Sequence, residues 1–109
     1  MNSIESLTEK ITSFRDERNW QQFHNSKDLS LALSIEVAEL NELFLWKNAD
    51  DVDVEKLKEE LADVLIYAFS LANNHNLNIE EIILSKLEKN EDKYPIDKSR
   101  GNSTKYTEL

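Results

Sequence analysis

Two stretches of this 109-residue chain each carry a pair of acids three residues apart: Glu36 and Glu39 in LSLALSIEVAELNELFLW, and Glu60 and Asp63 in EELADVLIYAFSLA. Residues three apart share one helix face. On a helical wheel at about 100° per residue, the clearly polar arc of Leu29 to Trp46 is narrow and holds Ser30, Ser34 and Asn41. Glu36 falls between Leu40, Leu29 and Leu43, and Glu39 falls between Ala32 and Trp46, so both carboxylates sit within the apolar side. On the second helix Glu60 lies between Tyr67 and Leu71 at the edge of the apolar face, with Asp63 about 60° further towards the polar side.

An ionised carboxylate removed from water is costly unless it is paired or bound to a metal, so apolar packing alone does not select this pattern. Neither acid-bearing helix has a basic residue inside its apolar arc, which makes a metal the expected counter-charge. With no cysteine and two histidines in the chain, an all-oxygen site suits a hard ion, Mg²⁺ or alternatively Mn²⁺, rather than zinc or copper. Magnesium commonly binds through a few carboxylates together with water and substrate phosphates, so a phosphorylated substrate is the expected partner.

The elements that must hold these acids are helical. One glycine and one proline argue against a turn-rich β fold, and helix-forming residues dominate, which predicts a single all-α domain, a compact four-helix bundle-like unit. The net charge of −9 disfavours polymeric nucleic acid and anionic membranes. No membrane span, signal peptide or disulfide is read, so the cytoplasm is expected. Ile4, Leu7, Ile11 and Phe14 make one stripe of a first helix running from Ser3 to about Arg18, a packing element. NWQQFHNSKD then reads as a loop holding Trp20, Phe23 and His24, either a plug for the end of a bundle or a wall for a nucleobase, with Asn25, Ser26 or Asp28 capping the next helix.

After Trp46, Asp51 or Asp53 can cap a third helix beginning near Val54. A calcium loop there is rejected, since Val52 stands at a ligand position and the glycine is missing. The third helix is expected to end around NNHNLN, with His75 a solvated loop residue. Asn78 and Glu81 have capping-box spacing for a fourth helix with Ile79, Ile82, Ile83 and Leu87 inward. That helix aligns Lys86, Asn90 and Lys93 on one face before Tyr94 and Pro95 stop it; a solvated face and a phosphate clamp fit equally. The domain is therefore assigned to residues 1–94, followed by an irregular basic tail over 95–109. Helix two is apolar around most of its circumference, which predicts self-association.

The ordered segments EVAEL, EELADVLIY and KLEKNEDKYP resemble the MazG-like all-α nucleoside triphosphate pyrophosphohydrolases. RNWQQFHNSKDLSLAL, ELFLWK and KYTEL are similar to that family's dCTP pyrophosphatase branch. The resemblance implies Mg²⁺-dependent hydrolysis of a nucleoside triphosphate to monophosphate and pyrophosphate, by a homodimer or homotetramer whose sites are completed by a neighbouring subunit. It implies that Glu36, Glu39, Glu60 and Asp63 are the catalytic, metal-binding acids, that Trp20, Phe23, His24 and Trp46 form the base and sugar pocket, and that Tyr67 stands beside the metal. Lys86, Asn90, Lys93 and Tyr94 match the phosphate side. Ile11 departs from the branch, which has a histidine near the substrate at that position.

The expected chemistry is in-line attack of water on the α-phosphorus, with Glu36 or Glu39 removing its proton. Two other classes compete. A non-catalytic helical interaction module would pair the acids with a partner's cations. A di-iron carboxylate bundle would want Glu-x-x-His on two helices, and neither histidine stands three residues after a glutamate.

Overall fold

Each long helix starts on an Asn or Asp side chain that accepts a hydrogen bond from a first-turn N–H, satisfying donors the helix itself leaves free. The computed structural model describes residues 2–109. Asn2 caps α1 (Ser3–Glu17), Asn25 caps α2 (Ser26–Glu42), Asp53 caps α3 (Val54–Asn74) and Asn78 caps α4 (Ile79–Lys93). Asn25 Oδ1 receives the Asp28 N–H at 2.9 Å, and Asn78 Oδ1 receives that of Glu81 at 3.0 Å. The chain turns after α1 and α3 through Asn19 and Asn76, both at φ 54°, a left-handed conformation that asparagine tolerates. No strand occurs among the described residues, and the all-α class expected from composition is what the chain adopts.

Two compact units are distinguished, Met1–Leu77 and Asn78–Leu109. In the first, α2 and α1 both pack against α3. Leu29 is 1% exposed, and Ala72 and Ser70 are also buried; the Ser70 hydroxyl donates to Ile66 O at 2.8 Å within its own helix. Asn74 Nδ2 donates to His24 O at 2.7 Å, and Ser26 Oγ lies 2.8 Å from His75 Nε2. His75 is thus exposed yet hydrogen-bonded, where the sequence pointed to a merely solvated loop residue. These contacts tie the segment between α1 and α2 to the end of α3.

The second unit joins α4 to a short α5 (Ile96–Ser99) and a turn of 3-10 helix, Tyr106–Glu108. Tyr106 packs edge-on against Tyr94 with centroids 6.0 Å apart, and Lys93 Nζ lies 4.8 Å from the Tyr106 ring centre. The expected division into a domain over 1–94 and an irregular tail over 95–109 meets a different grouping. Tyr106 in the tail contacts Tyr94 at the end of α4, and the boundary between units falls before that helix. Ile82, Ile83 and Leu87, expected to face inward, remain 42–53% exposed in the single chain.

Candidate active site

The acid-bearing faces of α2 and α3 meet. One carboxylate oxygen from each of Glu36, Glu60 and Asp63 lies within 4.8 Å of the others. Glu36 and Glu60 are half-buried and Asp63 is exposed. Each of the two glutamates keeps its Oε2 out of water with no hydrogen-bond donor among the described residues. Glu39, one turn along α2 from Glu36, stands close to both Glu36 and Glu60, and becomes a hydrogen-bond partner only when a proton is shared.

Desolvation comes first among the causes that push the Glu36 carboxyl from its ordinary 4.5 to about 7, and Glu39, Asp63 and Glu60 add to it. Glu60 is raised for the same reasons, desolvation first and then Glu39, Asp63 and Glu59. A group of like charges this close is unfavourable as it stands and favourable around a cation. Orphaned carboxylate oxygens with no nitrogen or sulfur among them fit a hard divalent ion.

Next to the acids lies a cavity of about 410 Å³ in the first unit, bounded by Phe14, Arg15, Trp20, His24, Asp63 and Tyr67, with Lys10, Ile11, Ile66 and Ser70 completing it. Its volume falls within the range of small-molecule sites. One turn of 3-10 helix, Trp20–Phe23, delivers Trp20 and leads into His24. The Trp20 ring stands 5.9 Å from Phe14, edge-on, and 6.4 Å from His24, which in turn lies 6.4 Å from Tyr67. Arg18 backs this wall, its guanidinium 3.6 Å from the Phe14 ring centre. Desolvation, followed by the charge of Arg15, lowers the His24 pKa and keeps the imidazole neutral. Burial and the nearby Glu36, Asp63 and Glu39 raise Tyr67, so its hydroxyl stays a donor.

Of the aromatic residues singled out in the sequence, Trp20, His24 and Tyr67 line this cavity and Phe23 and Trp46 do not. Phe23 ends the 3-10 turn and is 61% exposed. The wheel that placed Trp46 beside Glu39 assumed helix to residue 46, but α2 stops at Glu42. Trp46 then adopts φ 63° and is 94% exposed, an unusual backbone for a bulky side chain. Lys86, Asn90, Lys93 and Tyr94 belong to the second unit, where Lys86 is exposed and Asn90 and Lys93 are half-buried. Phe14 and Arg15 are wall residues that the sequence reading missed. The signal is present: Ile11, Phe14 and Arg15 have the three- and four-residue spacing of one helix face, and the resemblance already points to the Ile11 position as one near the substrate.

The chain is similar to known proteins over most of its length. Residues 31–109 match the model of the MazG-like family. The mouse (Mus musculus) protein dCTP pyrophosphatase 1 is 38% identical over 115 residues, covering 98% of this chain and 68% of the relative. The human (Homo sapiens) dCTP pyrophosphatase 1 is 39% identical with the same coverage. A crystal structure of a pyrophosphatase from Archaeoglobus fulgidus superposes with a TM-score of 0.78 at 40% identity, covering 87% of this chain and 94% of that one. With most of its length matched by the family model and nearly all of it aligned to these relatives, the chain belongs to the MazG-like family.

Proposed function

We propose that this nucleoside triphosphate pyrophosphatase hydrolyses dCTP to the monophosphate and pyrophosphate with Mg²⁺ held by Glu36, Glu39, Glu60 and Asp63. The coarser activity follows the family and the pyrophosphatases it resembles. The observation that carries the finer reading is continuity. Asp63 belongs both to the oxygen cluster and to the lining of an aromatic cavity, so a phosphate on the acids and a base among the rings lie within one connected site.

When bound, the metal supplies charge neutralisation of the triphosphate, polarisation of the α-phosphoryl group and a lowered pKa for the attacking water. Glu36 or Glu39, one turn apart on α2, takes the proton of that water as it attacks the α-phosphorus in line. The Tyr67 hydroxyl, held protonated by burial and by the acids beside it, donates a hydrogen bond at the same end of the cavity. Trp20 and Phe14 hold the base by stacking. Lys86, Asn90, Lys93 and Tyr94 take the outer phosphates in this reading, which rests on the family resemblance.

Self-association is part of the proposal. Leu29 and Ala72 are the buried apolar residues among those described, while Leu31, Ile35, Leu45 and Leu65 are 50–58% exposed. So much uncovered apolar surface is characteristic of a subunit. A 94% exposed Trp46 outside its own chain's cavity is suited to stacking in a neighbour's site. Light scattering should report at least a dimer, and a stable monomer would count against this part.

The principal test is a product assay with dCTP, CTP and the other deoxynucleoside triphosphates in Mg²⁺. Pyrophosphate plus monophosphate is expected, with dCTP preferred; orthophosphate release, or no hydrolysis of any substrate, would refute the assignment. Discrimination against CTP is attributed to a 2′-hydroxyl left without a partner among aromatic rings, and equal rates on CTP and dCTP would remove that explanation.

A further inference from the structure

Within the cavity, the α1 wall presents Ile11, Phe14 and Arg15. Ile11 has no polar side-chain atom and Phe14 offers only its ring, so hydrogen bonding from this wall falls to Arg15 and to the exposed Lys10. The Arg15 side chain is 18% exposed, well withdrawn for a charge near a helix end. Its Nε donates to Asp16 Oδ1 at 2.9 Å and its Nη2 lies 2.8 Å from the same oxygen. That pairing fixes the guanidinium plane. Nη1 makes no hydrogen bond among the described residues, and a guanidinium carries five N–H donors in a rigid fork.

The fork lines the same cavity as the aromatic rings. Arg15 follows Phe14 on α1, Phe14 packs edge-on against Trp20 at 5.9 Å, and the Trp20 ring stands 6.4 Å from that of His24, on which the charge of Arg15 also acts. Arg15 therefore shares the aromatic end of the cavity with these rings. His24 shares that end, with its Nδ1 buried and unpartnered. A neutral imidazole offers one acceptor nitrogen, which a protonated ring lacks. The aromatic end thus combines a donor fork with an acceptor.

Resting on the pyrophosphohydrolase reading above, we propose that Arg15 is the base-selecting residue, its guanidinium donating to the adjacent O2 and N3 acceptors of cytosine while His24 accepts from the N4 amino group. Uracil has the same ring size but carries N–H at position 3 and a carbonyl at position 4. Its N3–H would face the guanidinium donors, and its O4 would face the acceptor of His24. Two buried mismatches of this kind reject a near-isostere far better than a missing methyl group does.

The test compares dCTP with dUTP for the wild type, Arg15→Gln and Arg15→Lys, by pyrophosphate release, with thermal melts to show that each variant folds. The wild type is expected to prefer dCTP. Both variants should lose on the order of tenfold to a hundredfold of the dCTP-over-dUTP ratio in kcat/KM, mostly through KM for dCTP. Lysine keeps the charge and the helix propensity but not the fork, so a lysine variant with undiminished selectivity would overturn the proposal. Equal losses on both substrates, or a wild type indifferent to the two bases, would overturn it as well. A wild type inactive on every nucleoside triphosphate would instead refute the reading on which it rests.

Discussion

The acid cluster and the aromatic cavity adjoin each other but are built by different means. Glu36, Glu39, Glu60 and Asp63 stand on two long helices, where three-residue spacing alone brings each pair to one face. The cavity wall mixes a face of α1 with a single 3-10 turn entered through a left-handed Asn19. Regular helix places charge with little tolerance for movement, which suits metal ligands. An irregular segment pinned by Asn74 and by the Ser26–His75 contact places rings of the size a ligand requires. In the proposed reading, chemistry falls to the acids on α2 and α3 and selection to the cavity wall.

The sharpest way to break this comparison is to remove chemistry without disturbing shape. Glu36→Gln or Asp63→Asn should lower kcat by about a thousandfold or more while far-UV circular dichroism is unchanged, since the electrostatics of a site rank among its largest catalytic contributions. Wild-type turnover in either variant would end the assignment. Removing selection should look different. Trp20→Ala is expected to raise KM by roughly tenfold to a hundredfold, the worth of one stacked base, with a smaller change in kcat. A loss confined to kcat would place Trp20 with the chemistry instead.

A pH series on metal-free protein probes the acid cluster by itself. Glu36 binds its proton more tightly folded, near 7, than at its ordinary 4.5, so the folded state carries the extra proton between those values. Its contribution to stability is complete below about 4.5 and is lost as pH rises to about 7. The melting temperature of the metal-free protein should therefore fall over that window, and Mg²⁺ should raise it more at pH 8 than at pH 5. A Mg²⁺ effect independent of pH would remove the cluster as its origin. The smallest effect belongs to the scaffold: Asn25→Ala deletes one cap and should cost about 1 kcal/mol, seen as a melting shift of a few degrees with KM little altered.

Much of this was legible in the residues. The all-α class, the starts of α2, α3 and α4, and the shared faces of both acid pairs follow from periodicity and Asx capping, which act over three or four residues. The end of α2 was harder to read. Leu43, Phe44 and Leu45 continue an apolar run, so nothing local announces that helix stops at Glu42 and that Trp46 leaves it. The contacts of the tail were not legible either, because Tyr106 meets Tyr94 and Lys93, residues more than ten positions away.

What the sequence determined by itself is where the carboxylates stand on their helices, because side-chain direction on a helix depends on spacing alone. Tertiary structure decided which aromatic rings share a cavity with them. Trp20, His24 and Phe14 come together across a left-handed turn and contacts spanning some fifty residues, as in the Asn74–His24 hydrogen bond, while Trp46 and Phe23 do not. It also brought Arg15 into the cavity, since a cation next to an aspartate in a last helical turn looks like an ordinary surface pair until a neighbouring helix covers it.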